Sequence, residues 1–492
     1  VLAGEEVSAA MAKVGFFVAG ERVQGSGEAF ASVDPATGAV NYEVAAAGPD
    51  DVARCVDAAS EAVAKPAWRD MRPHERARIL SAIADGIQAK AGELADIQRR
   101  ENGKVMAECR VQVASAAATF RYYAGVCETT GGEITPSRGD YMSMTTYEPV
   151  GVVAAITPWN SPLTMEAQKV APALAAGNAV IVKPSEVTPT AAILVAEIAL
   201  AAGLPPGILN VLTGTGRETG IPLVRHPGVR MVSFTGGTET GRSIAEIAAS
   251  RLIPVALELG GKSPHIVFAD ADLERAAAAV QDGIFEGSGQ SCVAGSRLFV
   301  QRSAMDRMVA LMQERAGAIR VGMPLSPESR MGPLSSFRHR DTVERFVQSA
   351  RDEGGEILAG GARPDDPDLA GGAFYLPTLI GGLGASARVC REEIFGPVLV
   401  ILPFDEEEDL IAQANGTAFG LAAGIWTADV TRALRIARRI EAGTVWINTY
   451  KQLSIATPFG GYKDSGLGRE KGISGMRLYQ QAKSLYLGGV RI

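Results

Sequence analysis

Between residues 149 and 261, short apolar runs alternate with helix-patterned segments, and this alternation constrains the fold more than any other feature. Residues 150–156, 179–182, 210–212, 231–234 and 254–259 are apolar and too short for helices. Between them, 161–176 and 189–202 carry apolar residues at helical spacing, and glycine-rich loops open further helices. Short apolar strands joined through helices predict a parallel sheet covered on both faces. A second alternating block runs from Ser263 to about Tyr450, with strands expected at 266–268, 297–301, 375–380, 398–404, 422–426 and 444–447. The expected class is α/β with two doubly wound parallel-sheet domains. A chain of 492 residues also exceeds what one hydrophobic core spans.

The flanking segments read differently. Residues 50–100 are Ala-rich with charges between apolar positions, which predicts helices. Gly131, Gly132, Pro136, Gly139 and Asp140 break that pattern, and 141–147 read as an extended strand. The apolar tail 484–490 is expected to pair with this hairpin. An exposed edge strand needs a partner, so the arm predicts oligomerisation. Residues 360–373 form the most loop-like stretch.

Composition narrows the function classes. The formal net charge is −7 with no basic tail, so no nucleic-acid partner is expected. No apolar run is long enough to span a membrane, because Glu197 interrupts the longest, 191–204. The N-terminal residues lack a basic stretch followed by an apolar core, so no signal peptide is expected. Cys55, Cys109, Cys127, Cys292 and Cys390 are odd in number and widely spaced, which predicts free thiols and a cytoplasmic setting. His74, His226, His265 and His339 are scattered, so no metal site is expected.

Three motifs carry candidate chemistry. Cys292 lies among small residues in GQSCVAGSR (289–297). A lone cysteine is ordinarily a buried structural thiol, and a nucleophilic one needs partners. Glu258 closes an apolar strand in LELGGKSP (257–264), where α/β sites form. A half-buried carboxylate there suits a general base, although pairing with Lys262 is equally open. Asn160, in TPWNSP (157–162), follows one strand and opens a helix. Its amide suits an oxyanion or, alternatively, a plain helix cap.

Together with VKPSE (182–186), FTGGTETG (234–241), EEIFGPV (392–398) and PFGGYKDSGLGRE (458–470), these motifs make the chain resemble the NAD(P)-dependent aldehyde dehydrogenase superfamily over nearly its whole length. The resemblance is to the non-acylating, hydrolytic branch. It implies a fold of two such domains with a small β oligomerisation arm. The implied division is an NAD-binding domain at 1–130 and 149–260, a catalytic domain at 261–462, and the arm at 131–148 and 476–492. It also implies oxidation of an aldehyde to a carboxylic acid. Cys292 would form a thiohemiacetal and then a thioester, Asn160 with the Cys292 N–H would hold the oxyanion, and Glu258 would activate the hydrolytic water. Glu470, in the GRE ending, is the position that helps move protons in some relatives.

The same resemblance assigns NAD to a site made of Ile156, Thr157, Pro158, Trp159, Lys183, Ser185, Glu186, Gly216, Phe234, Thr235, Gly236, Gly237, Thr240, Leu259, Gly260, Glu393 and Phe395. Glycines allow close approach, and a helix N-terminus after Gly237 suits a pyrophosphate. Gly237 stands where the family often has serine, which leaves backbone donors only. Lys183 and Glu186 occupy ribose-binding positions, and a carboxylate at Glu186 repels a 2′-phosphate, so NAD is expected over NADP. Glu186 as a helix-start acid is the competing reading. Ser161, Met165 and Gln168 share one helix face and, with Ser291, Val293 and Phe459, are expected to line the substrate channel. That face is smaller and more polar than in relatives, which predicts a fairly large or polar aldehyde. A homodimer or homotetramer is expected. The competing functions are a CoA-acylating dehydrogenase, a branch that typically lacks the acid at 258, and a non-catalytic protein, which would tend to lose Cys292 or Glu258.

Overall fold

The computed structural model describes residues 13–489. Residues 1–12 and 490–492, including the last residue of the expected tail strand, lie outside the described residues. The first block forms an eight-stranded sheet in the order 466–467, 255–258, 229–235, 152–156, 179–183, 209–211, 16–18, 21–23. Its five central strands run parallel. The second block forms a seven-stranded sheet in the order 356–359, 378–381, 398–404, 297–301, 264–267, 422–426, 444–447, parallel except at Glu356–Ala359.

The two parallel sheets are those expected, and antiparallel strands extend the first of them at its edges. Phe16–Val18 pairs antiparallel with 209–211 and with Glu21–Val23. Gly466–Leu467 pairs antiparallel with 257–258. The 16–23 hairpin needs only a tight turn, which Ala19 and Gly20 supply at φ 53° and 93°. Residues 13–46 also build a small sheet from Lys13–Val14, Val40–Ala46 and Gly27–Val33, which the apolar pattern does not single out.

Helix and strand bounds follow local chemistry. The strand expected at 375–380 is Thr378–Gly381, because Pro377 has no N–H for the ladder. The helix expected at 189–202 is Ala191–Ala201, which leaves Glu186 in the loop before it. The loop after 209–211 winds into a π-helical turn, Gly216–Gly220, then the helix Ile221–Arg225. Side chains alternate across the second sheet as the pleat requires. Leu298 and Val300 enter one apolar cluster and Phe299 the other, so both faces are covered. Met476 and Tyr479 pack into the core of the first sheet.

Tyr141–Pro149 pairs with Gln480–Gly488 along its length and with Glu133–Thr135 on its other side. Ile134, Leu485, Tyr486 and Leu487 on this arm are exposed. Among the described residues, no helix is long and apolar enough to cross a membrane.

Candidate active site

The C-terminal ends of the parallel strands deliver most of the expected site residues to one edge of the first sheet. Residues 157–162 follow Val152–Ile156, 184–186 follow Ala179–Lys183, and 236–241 follow Val229–Thr235. Glu258 is the last residue of Val255–Glu258, with Leu259 and Gly260 just beyond. In open α/β sheets the loops at these ends converge on a crevice.

The second sheet faces that edge. Cys292 lies between the turn Glu286–Gly289 and the strand Arg297–Gln301. It is the only one of the five cysteines that is not buried. Gly261 fixes the approach of the two halves, since a Cβ there would stand 2.3 Å from the Cys292 carbonyl oxygen. Glu393 locks the same seam: its Oε1 accepts from the Gly261 N–H at 2.9 Å, and a Cβ on Gly260 would stand 2.3 Å from its Oε2.

Asn160 does not cap the following helix. Ser161 holds the cap position of Pro162–Ala175, while the Asn160 Nδ2 donates to the Gln290 carbonyl oxygen at 2.9 Å. The amide is thereby tied two residues before Cys292, with its second N–H left over. Glu258 makes no ion pair with Lys262. Both Glu258 oxygens and the Lys262 Nζ are buried without a partner among the described residues. Burial first, and then the Glu470 carboxylate, push the Glu258 pKa well above the usual range, against Lys169, Arg469 and Lys471. Burial pushes the Cys292 thiol up to about 12, with Glu393 and Glu258 adding to it and Lys471 opposing.

Glu470 sits behind Glu258. Its backbone pairs with Phe459 through two 2.8 Å hydrogen bonds, and its Oε1 accepts from Lys169 Nζ at 2.5 Å. Lys169 also donates to Ser233 Oγ at 3.1 Å, and Tyr479 OH reaches the same hydroxyl at 3.1 Å. Sequence reasoning missed Lys169, Ser233 and Tyr479. Lys169 was the one legible signal, a lysine in a largely apolar helix that must find an acid if buried.

At the dinucleotide positions, Thr157, Thr235 and Thr238 have buried hydroxyls without partners. The helix Thr238–Arg251 starts after Gly237 with no side-chain cap, and the space over Gly237 and Gly216 is open. Ile156, Phe234, Leu259 and Ser185 are buried around this edge, whereas Thr240 is exposed. Lys183 is buried, donates to the Pro184 carbonyl at 2.8 Å and stands 3.8 Å from the exposed Glu186. Trp159, with Pro158 before it, meets Phe395 edge-on at 5.2 Å, and His339 Nε2 lies 2.6 Å from the Phe395 carbonyl oxygen. Phe395 has φ 56°, a conformation rare for an aromatic residue.

On the other side of Cys292, Val293, Tyr450 and Phe459 form one apolar cluster, with Ser291 half-exposed beside it. Ser161 Oγ accepts from Gln112 Nε2 at 3.1 Å, and the Gln112 Oε1 is buried without a partner. Gln112, from the helix Met106–Thr129, is a neighbour of Ser161 that sequence reasoning missed. Met165 is half-buried and Gln168 fully buried.

Comparison with known proteins agrees with this fold. The model of the aldehyde dehydrogenase family matches residues 22–485. An aldehyde dehydrogenase from Bacillus cereus, solved as its NAD+ complex, is 37% identical with TM-score 0.95, covering 99% of each chain. Betaine aldehyde dehydrogenase from Staphylococcus aureus, solved with NAD+, is also 37% identical with TM-score 0.95, covering 97% of this chain and 95% of that one. PnpE from Pseudomonas sp. WBC-3 is 38% identical with TM-score 0.95, covering 98% of this chain and 99% of that one. The chain belongs to the aldehyde dehydrogenase family.

Proposed function

We propose that the chain oxidises an aldehyde to a carboxylic acid with NAD, using Cys292 as nucleophile and Glu258 as the base that activates water. The carrying observation is a partly buried thiol close enough to Glu258 to feel its charge, with both oxygens of that buried carboxylate lacking a partner among the described residues. The Cys292 sulfur attacks the aldehyde carbon. Asn160 Nδ2 and the Cys292 N–H meet the oxygen as it becomes negative. NAD, when bound, accepts the hydride that turns the thiohemiacetal into a thioester. Glu258 then takes a proton from water, the water oxygen attacks the thioester carbon, and the C–S bond breaks to return the thiol.

The residues fit the cofactor. Three orphaned threonine hydroxyls, an uncapped helix N-terminus and open space over Gly237 and Gly216 supply donors and room for a dinucleotide. The Bacillus cereus and Staphylococcus aureus relatives were solved with NAD+. In this reading Lys183 and Glu186 hold the adenine ribose, and Glu393 and Phe395 hold the nicotinamide end. The domain roles follow: the first sheet binds NAD (1–130, 149–260), 261–462 carries the nucleophile, and 131–148 with the strand Gln480–Gly488 form the arm. Glu470, paired with Lys169, backs the base.

Hydrolysis is favoured over transfer to CoA because Glu258 is present and unpaired. The Ser161–Gln112 contact makes the channel polar, which supports a polar or large aldehyde. NADH formation across an aldehyde panel tests these points together. Expected are a free acid as product with or without CoA, a kcat/KM ratio favouring NAD over NADP, and a polar or bulky aldehyde as best substrate. Acyl-CoA as the product would refute the hydrolytic reading. Clear preference for acetaldehyde and propanal would refute the pocket reading.

The exposed Ile134, Leu485, Tyr486 and Leu487 on the arm support a homodimer or homotetramer. Light scattering should give a multiple of the 51.4 kDa chain, and a monomer mass would remove the proposal. Unpaired thiols support a cytoplasmic location.

A further inference from the structure

Lys471 takes no part in the reaction just described, yet it is built into the same cleft. It is 6% exposed, and its ammonium forms no hydrogen bond or ion pair with a described residue. Its backbone has φ 62°, a strained value for a side chain of this length. An ammonium so far withdrawn from water without a hydrogen bond or ion pair is unfavourable for folding, so its position requires a cause.

Two sets of contacts fix where that ammonium lies. Its Nζ stands 4.9 Å from the centroid of the Phe459 ring, a cation–π geometry. Phe459 packs in the cluster that Cys292 and Val293 share. The next residue, Gly460, lies against the base, since a Cβ there would stand 2.9 Å from Glu258 Oε1. The Gly472 N–H donates to the Ile455 carbonyl at 2.8 Å, which ties the position to the segment after the strand Thr444–Ile447. The cation is therefore held beside the ring that packs with the nucleophile and next to the segment that abuts the base.

The charges that face Cys292 are unbalanced without it. Glu393 and Glu258 both favour the protonated thiol, as does burial, and Lys471 is the side-chain charge that opposes them. Around Glu258 itself stand Glu470, Lys169, Arg469 and Lys471. The neighbouring Tyr450 hydroxyl donates to the Val293 carbonyl at 3.0 Å. Burial lowers the Lys471 pKa, while Glu470, Cys292 and Glu258 support its charge.

We propose that Lys471 is a positioning cation for this centre: packed on the Phe459 ring, it stabilises the Cys292 thiolate against the two carboxylates nearby. The assignment rests on Cys292 being the nucleophile. On ionisation the thiol proton leaves to water, sulfur keeps the electron pair, and no other bond changes.

The test is alkylation of the full-length chain by neutral iodoacetamide from neutral to mildly alkaline pH, with adducts mapped by mass spectrometry. Lys471→Met keeps the apolar stem and removes the charge. Lys471→Gln is a second neutral variant should Met disturb folding, and Lys471→Arg restores charge. Losing an opposite charge within about 6 Å moves a thiol by about one pKa unit or more. One unit cuts the thiolate fraction about tenfold, and the greater nucleophilicity of the more basic sulfur offsets part of it. Alkylation of Cys292 in the neutral variants should therefore be about three- to tenfold slower, with its rise delayed to higher pH, and Arg should return it near wild type. Superimposable pH profiles in wild type and the neutral variants would overturn the assignment. A change confined to the rate ratio of anionic iodoacetate to iodoacetamide would also overturn it, because the cation would then meet an anionic substrate group instead of the thiolate. Adducts on other cysteines but not on Cys292 in wild type would fail the underlying nucleophile reading, a separate result.

Discussion

Cys292→Ala should lower kcat/KM for every aldehyde by about four orders of magnitude or more, while Glu258→Gln should leave the first turnover and stop the second. The two residues serve different halves of one reaction. Without the sulfur no covalent adduct forms, and the remaining oxyanion donors act on nothing. Without the Glu258 carboxylate, the thiohemiacetal and the hydride step remain, so NADH should appear as a burst of about one per site. The thioester then waits for unactivated water, and steady turnover should fall by about two to four orders of magnitude. Rapid-mixing measurement of NADH absorbance separates the two outcomes. The pH dependence follows from the same assignment. Glu258 must be ionised to take the water proton, and burial with the nearby Glu470 raises its pKa. Wild-type kcat should therefore rise with pH through that raised pKa, and this limb should vanish in the Gln variant. A Glu258→Gln enzyme with no burst, and thiol alkylation slowed as much as turnover, would instead make Glu258 the base that deprotonates Cys292.

How much of this centre is visible in a bare sequence depends on the length scale of each contact. Asn160 and Glu258 are legible because each sits in a short motif at the end of a strand, and Cys292 because its motif of small residues leads into one, so that loop chemistry and strand direction are local. Gln112 and Ser233 are not. Gln112 reaches Ser161 from a separate helix, and Ser233 meets Lys169 and Tyr479 through the interior of the first sheet. The alternation of strands and helices likewise gives away both parallel sheets but not their antiparallel edges. Strands as short as Gly466–Leu467 carry too few residues for a period, and their place is decided by what the sheet edge leaves unpaired. Lys471 is the sharpest instance. In the sequence it is one more charge after a motif, and only the packing of Phe459 against Cys292 makes its position matter.

The largest stability effect should come from Lys169→Met. Lys169 and Glu470 are 0% and 2% exposed as side chains, and their 2.5 Å contact joins the helix Pro162–Ala175 to the segment that carries Phe459. Replacing the lysine leaves a buried carboxylate whose nearest remaining partner is Ser233 Oγ at 3.4 Å. Breaking one side of such a pair costs about 3–5 kcal/mol, because the surviving charge stays desolvated. Removing both charges should cost less than removing one, since apolar side chains of similar volume are tolerated where a buried pair stood. Thermal unfolding should therefore rank wild type and Lys169→Met/Glu470→Leu together above Lys169→Met alone. A single variant that unfolds with wild type would mean that water already compensates Glu470. The same substitution also reaches the chemistry. Lys169 is the largest of the charges that hold the Glu258 pKa down, so its loss should push the rise of kcat to higher pH. Stability and pH profile would then move together in the single variant. In the double variant they should part: the fold recovers, while Glu258 has lost both the cation that lowered its pKa and the carboxylate that raised it, leaving burial as the main cause of the shift.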